Sequence, residues 1–324
     1  MVGFDGVQVL DVTGPLEVFA RASRVLVEQG IVDADVYRVM LVGINAGPIR
    51  SSSGLTLVAE CSLRDLPGVD TLLVSGGAGT EEALKDRTLV DWLRQAAPLT
   101  RRYGSVCTGA FLLARAGLLD GRRVTTHWAR LAQLAAMAPT ARVEQDAIFV
   151  QDDRLWTSAG VTAGMDMALA MVEADWGKRI ALEVAHQLVM YLKRTGASSQ
   201  FSVPLEAQAR ALDSPVGRIA GWIISNLEQD LSVNVLAEQM SMSPRHFTRS
   251  FGEVFGMTPA RFVERVRLEA AQQLLASGDT SVEAVAERCG FGSAETLRRV
   301  FIRRTGVGPA AYRMRMRRDS GRAS

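Results

Sequence analysis

The sequence contains few residues of the types that build disulfide or metal frameworks. It has three cysteines and three histidines in 324 residues. Cys61, Cys107 and Cys289 are far apart, and none belongs to a CxxC motif or a Cys/His pattern with metal-ligand spacing. We therefore expect three free thiols, no disulfide scaffold and no metal site.

Long apolar runs are also missing. No stretch offers the ~18 consecutive apolar residues of a membrane-spanning helix. The first residues, MVGFDGVQVLD, lack the basic segment and apolar run of a secretory signal. These absences predict a cytoplasmic protein with no membrane partner. A chain of 324 residues, 48% of them hydrophobic, can build more than one buried core, so we expect two domains.

Lysine is scarce, and charge is distributed unevenly along the chain. The only lysines are Lys85, Lys178 and Lys193. From Val216 to the end there are 16 arginines and 11 acidic residues, a net charge of +5, whereas the rest of the chain carries −3. Guanidinium groups bind phosphates and guanine edges in a bidentate manner, so this region is suited to nucleic acid. On charge alone, a solvated face with a basic tail explains the pattern equally well.

An internal repeat within residues 232–312 favours the first explanation. SVNVLAEQMSM (232–242) aligns with SVEAVAERCGF (281–291) at an offset of 49, and beyond Gly292 the offset becomes 50. With that second offset, Ser243, Phe247, Arg249, Phe251, Gly256, Pro259 and Phe262 fall on Ser293, Leu297, Arg299, Phe301, Gly306, Pro309 and Tyr312. The two copies should therefore form the same structural unit.

Each copy has the pattern of two short helices separated by a tight turn. Apolar residues recur at helical spacing over 233–240, and a turn follows at Ser241. Ser243 is a suitable N-cap and Pro244 a suitable first helical residue, so a second helix begins there. In the other copy the turn falls at Gly290 and Ser293 is the N-cap.

The second helix of each copy has one apolar and one polar face. Its apolar face should bury Phe247 and Phe251 in one copy, Leu297 and Phe301 in the other. A helix-turn-helix inserts this second helix into the major groove. The exposed faces carry the candidate DNA-binding residues Arg245, His246, Thr248 and Arg249 in the first copy, and Glu295, Arg298 and Arg299 in the second. An ordinary bundle of paired helices is the alternative.

The segment CGFGSAETLRRVFIRRTGVGPAAYR (289–313) resembles the second motif of the AraC/XylS family of regulators, and the likeness covers about 216–316. The resemblance implies two helix-turn-helix units joined by a long helix at about 259–276. They would enter successive major grooves of double-stranded DNA, ~34 Å apart. We predict a DNA-binding domain over 218–316, a linker rich in Gly, Ser and Pro over 194–217, and a basic tail over 317–324.

The first part of the chain, 1–193, has the pattern of an α/β domain. Short β-rich runs such as VYRVMLV, TLLVSGG and YGSVC alternate with helical segments. This alternation predicts a flavodoxin-like parallel sheet with helices on both faces, followed by the all-α domain with its two helix-turn-helix units. The loop LLVSGGAGT follows a strand, but it lacks the Lys-Ser/Thr of a phosphate loop and full dinucleotide spacing, so no cofactor is expected.

A second strand end has the pattern of a nucleophile elbow. In GSVCTGAFLLARAGLL a strand stops at Cys107 and turns at once into a helix, which Gly109 permits. A thiol near a helix N-terminus favours the thiolate. From the residues alone, a reactive cysteine and a buried inert one are equally compatible with this pattern. His127 is a possible partner, but a satisfied core histidine is the simpler explanation.

Four segments of this domain resemble the PfpI-type branch of the class I glutamine amidotransferase-like superfamily. They are GVQVLDVTGPLEVFARA (6–22), the SGGAGT loop, SVCTGAFLLARAGLLDGRRVTTHWA (105–129) and TSAGVTAGMDMALAMVE (157–173). Joined to the C-terminal module, they are similar to the GlxA subfamily of AraC-type regulators, for which a homodimer is expected. The resemblance implies an elbow thiol at Cys107, an acidic neighbour at Glu17, oxyanion donors at Gly76, Gly77 and the Thr108 N–H, and His127 lining the same pocket.

Two features depart from the superfamily. Proteases of the superfamily have histidine directly after the cysteine, whereas this chain has Thr108, so a peptidase would lack its base. The first strand is also short, because only MVGF precedes the DGVQVLD loop. A truncated strand or a start further upstream would each explain it.

The leading hypothesis is a transcription regulator whose α/β domain binds a small-molecule effector at the Cys107 pocket. The alternative is a cysteine-dependent enzyme, because DVTGP, SVCTG and TTHWA resemble isocyanide hydratase. That resemblance would make Cys107 the nucleophile, Asp11 the acid/base and Thr108 a supporting donor. The appended DNA-binding module favours the regulator and a residual hydratase-like activity at most.

Overall fold

The computed structural model describes residues 1–66, 68–190, 194, 196, 200, 215–277 and 280–314. Contacts divide the chain into two compact units, and the first contains Met1–Gln200. The predicted tail (317–324) and most of the predicted linker lie outside the described residues. Within the described part, no helix combines the length and apolar character needed to cross a bilayer.

The first unit alternates strands and helices, as predicted. Its helices are α1 (Val9–Glu28), α2 (Thr80–Ala83), α3 (Arg87–Ala96), α4 (Gly109–Arg115), α5 (Leu131–Met137) and α6 (Thr162–Gln187). Its strands are β1 (Val42–Gly43), β2 (Gly47–Arg50), β3 (Thr56–Ala59), β4 (Cys61–Ser62), β5 (Thr71–Val74), β6 (Arg102–Val106), β7 (Arg123–Val124), β8 (Arg142–Val143), β9 (Phe149–Asp152) and β10 (Leu155–Ser158).

A sheet with strand order β5-β6-β10-β9 positions the candidate pocket. β5, β6 and β10 run parallel, and β9 is an antiparallel edge strand. β1 pairs with β4, and Val2 forms single parallel bridges to Val42 and to Val74. The short MVGF segment therefore links β1 to β5 through one residue. Helices cover both faces of this sheet: Leu73 of β5 packs with the core around α1 and α6, whereas Leu72 packs with the core around α3 and α4.

The strand predicted from VYRVMLV (36–42) is reduced to its last residue, Val42. The reason lies in the hydrogen bonds of Tyr37, because its backbone N–H donates to Ser23 Oγ at 2.9 Å and not to a neighbouring strand. The Tyr37 hydroxyl donates to Asp175 Oδ2 at 2.6 Å. Tyr37 is thus held against α1 and α6 by side chains, whereas the end of the segment is hydrogen-bonded to Met1, Gly3 and Glu60.

Asp175 is the centre of a largely buried ionic cluster. Arg102, 4% exposed, donates through Nη1 and Nη2 to the two carboxylate oxygens of Asp175 at 3.1 and 2.6 Å. Arg101 adds a hydrogen bond to Oδ1 at 2.8 Å and also binds the exposed Asp70. The guanidinium of Arg102 lies 5.9 Å from the ring centre of Phe19. The cluster satisfies a buried arginine at the start of β6.

In its described residues, 215–277 and 280–314, the second unit contains helices and no strands. Its helices are α7 (Pro215–Ser225), α8 (Val233–Gln239), α9 (Pro244–Phe255), α10 (Pro259–Ser277), α11 (Val282–Arg288) and α12 (Ala294–Thr305). The predicted long helix at 259–276 is α10, and the two predicted helix pairs are α8–α9 and α11–α12. α7 begins inside the predicted linker.

The two helix pairs repeat the same local structure, as the sequence repeat predicts. Ser243 Oγ accepts the His246 N–H at 3.3 Å, and Ser293 Oγ accepts the Thr296 N–H at 3.1 Å. α9 ends at Gly256 and α12 at Gly306, both with positive φ, 66° and 75°. Both predicted N-caps are confirmed, and both helices end in the left-handed conformation that glycine adopts without strain.

Each copy buries the predicted apolar residues of its second helix. Phe247, Phe251, Phe255 and Phe262 form one aromatic cluster with ring centres 4.5–5.6 Å apart. In the second copy Leu297 and Phe301 are fully buried, and Phe301 contacts Tyr312 edge-to-face at 5.0 Å. The residues predicted to pack therefore do so, and the opposite faces of α9 and α12 remain exposed.

Replacing Asp175 should destabilise the first unit. Asp175→Asn leaves the Arg102 charge buried without its carboxylate, which should cost about 3–5 kcal/mol in the free energy of unfolding. The matched control is Asp70→Asn, which removes an exposed partner of Arg101 and should cost about 0–1 kcal/mol. Chemical denaturation of the full chain measures both losses. Equal losses would contradict the assignment of the cluster to Asp175.

Candidate functional site

Cys107 lies at a sharp turn between a strand and a helix, as predicted. β6 ends at Val106, Cys107 has a φ of +56°, and α4 begins at Gly109. A Cβ at Gly109 would lie 2.3 Å from the Val74 carbonyl oxygen, so only glycine fits there. The Cys107 N–H donates to the Ser158 carbonyl of β10 at 2.9 Å. The sheet therefore holds a non-glycine residue in a strained conformation of the kind found at functional sites.

The carboxylate beside this thiol belongs to Asp11, in the first turn of α1. Asp11 is fully buried. Its Oδ1 accepts the Val161 N–H at 2.7 Å, and its Oδ2 has no hydrogen-bond partner within the described part of the chain. Burial raises the pKa of Asp11 to about 6, although the nearby N–H groups of Val161 and Gly76 and the Cys107 thiol act against this rise. Oδ2 thus lies beside two donors, the Gly76 N–H and the Cys107 thiol, without a hydrogen bond of normal geometry to either.

The Cys107 side chain is held as a thiol. Burial, followed by the negative charge of Asp11, raises the pKa of Cys107 to about 12. The N–H and hydroxyl groups of Thr108 oppose the rise without outweighing it. The expectation that the helix N-terminus would favour the thiolate is therefore wrong here. Desolvation and a neighbouring carboxylate outweigh a short helix of seven residues.

The glycine loop after β5 surrounds Thr108. The Gly77 N–H donates to Thr108 Oγ1 at 2.9 Å, and this hydroxyl also lies 2.7 Å from Thr80 Oγ1. The Gly76 N–H faces the Asp11 carboxylate and lowers its pKa. A Cβ at Gly76 would lie 2.5 Å from the Thr108 nitrogen. Of the three implied oxyanion donors, those of Gly76 and Gly77 are therefore directed at protein atoms.

Glu17 does not contribute to the pocket. It is exposed on α1 and forms an ion pair with Arg24. Asp11 and Glu17 are six positions apart, so they project from the helix in directions about 120° apart. Only one of them can face the thiol, and it is Asp11. The acidic neighbour implied by the resemblance to PfpI-type proteins is therefore corrected from Glu17 to Asp11.

His127 is half-buried, and its side chain is hydrogen-bonded to the backbone of the residues that follow it. Its Nδ1 accepts the Ala129 N–H at 3.3 Å, at the start of a short 3-10 helix. Burial and the charge of Arg130 lower its pKa. The preceding residue, Thr126, contacts the elbow instead, because its Oγ1 donates to the Cys107 carbonyl at 2.7 Å.

Another wall of the pocket follows β10, where the sequence predicted no site residue. Gly160 and Val161 both have positive φ, 98° and 49°. A Cβ at Gly160 would lie 2.9 Å from Cys107 Sγ, so a glycine is required for the close approach. One signal was available: WTSAG, like GSVCTG, ends a β-rich run with a small residue and glycine. Parallel strands bring such ends to one edge of the sheet.

The candidate DNA-binding residues lie on the outer faces of α9 and α12. Arg245, His246 and Arg249 of α9 are exposed, and Thr248 is half-buried. Glu295, Arg298 and Arg299 of α12 are exposed. Arg249 lies 3.8 Å from Glu253, and both side chains are about 70% exposed, so this pair restrains Arg249 weakly. Each second helix thus presents arginines to solvent opposite its buried aromatic side.

Two arginines of α12 have a different role from those on its outer face. Arg303 and Arg304 both form ion pairs with Glu264 of α10. Arg267, one turn further along α10, donates to the Leu227 carbonyl at 3.0 Å. Part of the net positive charge of the second unit therefore belongs to arginines that bind other parts of the same unit, and not to arginines that face solvent.

Comparison with known proteins identifies both parts of the chain. The model of the DJ-1/PfpI family matches residues 1–174, and that of a helix-turn-helix domain matches residues 236–315. The HTH-type transcriptional regulator Rv1931c of Mycobacterium tuberculosis is 35% identical over 256 residues, which are 76% of this chain and 95% of that protein.

Two further similarities each cover a little more than half of the chain. Isonitrile hydratase of Pseudomonas putida is 38% identical over 188 residues, 57% of this chain and 75% of that enzyme. The crystal structure of an AraC family transcriptional regulator from Pseudomonas putida is 26% identical, with a TM-score of 0.51, and the match covers 58% of this chain and 96% of that one. The chain belongs to the DJ-1/PfpI family, and it combines this domain with the DNA-binding helix-turn-helix domain of the AraC-type transcription regulators.

Proposed function

We propose that this transcription regulator reads DNA with the outer faces of α9 and α12 and binds a small effector beside Cys107. The observation that carries the first part is the duplicated helix-turn-helix with exposed arginines on both second helices. Residues near the start of such a helix reach base edges, and arginine is the commonest partner of guanine. The similarity to an HTH-type transcriptional regulator, over 95% of that protein's length, also supports DNA binding.

DNA affinity should depend on one arginine from each second helix. Arg249→Ala and Arg299→Ala occupy equivalent positions of the repeat, and each should weaken binding by about 1–3 kcal/mol if it contacts a base. The matched control is Arg115→Ala, an exposed arginine in the first unit. Fluorescence anisotropy on DNA from upstream of the protein's own gene, titrated across salt concentrations, measures the losses. Unchanged affinity in both variants would rule out these contacts.

The effector proposal is supported by Asp11 Oδ2, which has no hydrogen bond of normal geometry within the described residues. A ligand whose N–H or O–H group donates to Oδ2 gains a hydrogen bond to a charged group, which contributes about 1.5–3 kcal/mol. Asp11 is fully buried and Cys107 is only 9% exposed, so the ligand must be small. We therefore propose a small molecule with an N–H or O–H group, such as an amine, amide or alcohol.

The reactivity of Cys107 reports on this pocket. Alkylation by iodoacetamide proceeds through the thiolate, so a pKa of about 12 should make Cys107 slow to react at neutral pH. Asp11→Asn removes the neighbouring charge, lowers the pKa of the thiol and should move the rate profile of Cys107 to lower pH. Mass spectrometry follows the reaction, and Cys61 in the same digest is the internal control.

Identical pH profiles of Cys107 in the parent chain and in Asp11→Asn would contradict the pairing of these two groups.

The same alkylation reaction also serves as a screen for the effector. A compound that occupies the pocket should protect Cys107 in the parent chain without changing the rate at Cys61. Protection that persists unchanged in Asp11→Asn would contradict a donor bound to Oδ2.

A hydratase function is the second candidate, because Asp11 and Cys107 are neighbours and a hydratase is among the relatives. Hydration adds one water to an isocyanide and yields an N-substituted formamide. We expect no formamide from the full chain above the amount formed by Cys107→Ala, because the thiol is protonated at neutral pH. Turnover in the parent, lost in Cys107→Ala with DNA affinity retained, would support an enzyme.

The assembly we propose is a homodimer in the cytoplasm, where its DNA partner would be found. Leu10 and Val27 of α1 and Leu182 of α6 expose apolar side chains on two helices that pack together. Single exposed apolar residues also occur on monomers, so the homodimer rests on the resemblance to the GlxA subfamily. The homodimer and the location both stay predictions.

A further inference from the structure

Three described residues near the end of the first unit form hydrogen bonds close to the Cys107 pocket. They are Arg194, Gly196 and Gln200, which we call the exit residues. They were predicted to belong to the linker, but each makes hydrogen bonds to the first unit. At these positions the segment that leads to the DNA-binding unit is therefore part of the effector domain.

Gln200 is bound to the elbow through a single intermediate residue. Its Nε2 donates to the carbonyls of Thr126 and Ala147 at 3.0 and 2.9 Å, and to Thr125 Oγ1 at 3.1 Å. Thr126, fully buried, donates its hydroxyl to the Cys107 carbonyl at 2.7 Å. Thr126 therefore contacts Cys107 with its side chain and Gln200 with its backbone.

Arg194 is bound to the opposite wall. Its Nε and Nη2 donate to Asp166 Oδ2 at 2.9 and 2.7 Å, and its N–H donates to Oδ1 at 3.0 Å. Asp166 is fully buried, and Arg194 Nη2 also donates to Thr162 Oγ1 at 2.8 Å. Thr162 directly follows Val161, whose N–H binds Asp11. Arg194 is thus held one residue away from the contact that orients the pocket carboxylate.

Gly196 completes the set. Its carbonyl accepts the Ile148 N–H at 3.1 Å, and the Ile148 carbonyl accepts the Ala159 N–H at 2.7 Å. Ala159 precedes Gly160, the residue that lies against the Cys107 sulfur. Each exit residue is therefore connected to a group that lines the pocket by at most two hydrogen bonds and one step along the chain.

We propose that the exit residues transmit the state of the Cys107 pocket to the segment that leads to the DNA-binding unit. This inference rests on the proposal that an effector binds in the pocket. A ligand that shifts the Cys107 backbone or the Val161 N–H changes the hydrogen bonds that these groups form with Thr126 and Asp11, each 2.7 Å long. In a close-packed interior such a shift also displaces the neighbouring residues, among them Gln200 and Arg194. The coupling is reciprocal, so releasing Gln200 must also change the environment of Cys107.

A double-mutant cycle on Cys107 reactivity tests the connection in the full chain. Gln200→Ala and Thr126→Val should each speed the alkylation of Cys107 by iodoacetamide roughly 3- to 10-fold, the factor expected for one hydrogen bond. The double variant should gain little beyond the larger single effect, because both residues act along one path. The matched control is Gln151→Ala, an exposed glutamine of β9, which should leave the rate unchanged.

Hydrogen–deuterium exchange tests the reverse direction. After alkylation of Cys107, the amide of Gln200, whose N–H donates to the Asp146 carbonyl at 3.0 Å, should exchange several-fold faster. Circular dichroism of each variant establishes that the fold is retained. Unchanged Cys107 rates in Gln200→Ala, or strictly additive effects in the double variant, would overturn the inference.

DNA affinity separates this inference from the proposed function. The alkylation and exchange measurements need neither an effector nor DNA, so they test the connection alone. Gln200→Ala should also change the affinity for the upstream DNA, measured as for the arginine variants. Altered Cys107 rates with unchanged DNA affinity would uphold the connection and count against regulation through this pocket.

Discussion

The burial of the Asp11 carboxylate at the carboxyl edge of the parallel sheet constrains everything around it. A buried acid is costly unless donors meet it, and the N–H groups of Val161 and Gly76 face its oxygens from two loops. Those loops follow β10 and β5, while Cys107 ends β6 between them. The order of the parallel strands is therefore what brings three distant chain segments to one carboxylate. The same arrangement keeps the neighbouring thiol protonated.

Much of the second unit could be predicted because its information is local. The N-caps at Ser243 and Ser293 and the alternation of buried and exposed residues along α9 and α12 depend on residues a few positions apart. Because the unit is repeated in the sequence, each of these local patterns occurs twice. Local pattern could not show that Arg303 and Arg304 bind Glu264, some forty residues earlier.

The first unit was harder to predict in its details, although its fold class follows from the alternation of strands and helices. The elbow at Cys107 is a local pattern and was found. The choice between Asp11 and Glu17 depends on which face of α1 meets the sheet, and the protonation of the thiol depends on burial. The loss of the strand at VYRVMLV depends on Ser23 and Asp175. Each of these outcomes is decided by residues far apart in sequence.

The ionic cluster at Asp175 bears on how the polypeptide acquires its structure during synthesis. Its members lie at positions 37, 70, 101, 102 and 175, and α1 packs on α6, the last long helix of the unit. Until residue 175 has emerged from the ribosome, Arg102 lacks its carboxylate partner. α1 likewise lacks α6, the helix that packs on it. Since such long-range pairings are slow to form, the nascent first unit must wait for most of its length to leave the ribosome. The helix-turn-helix pairs, with contacts close in sequence, can form as soon as they emerge.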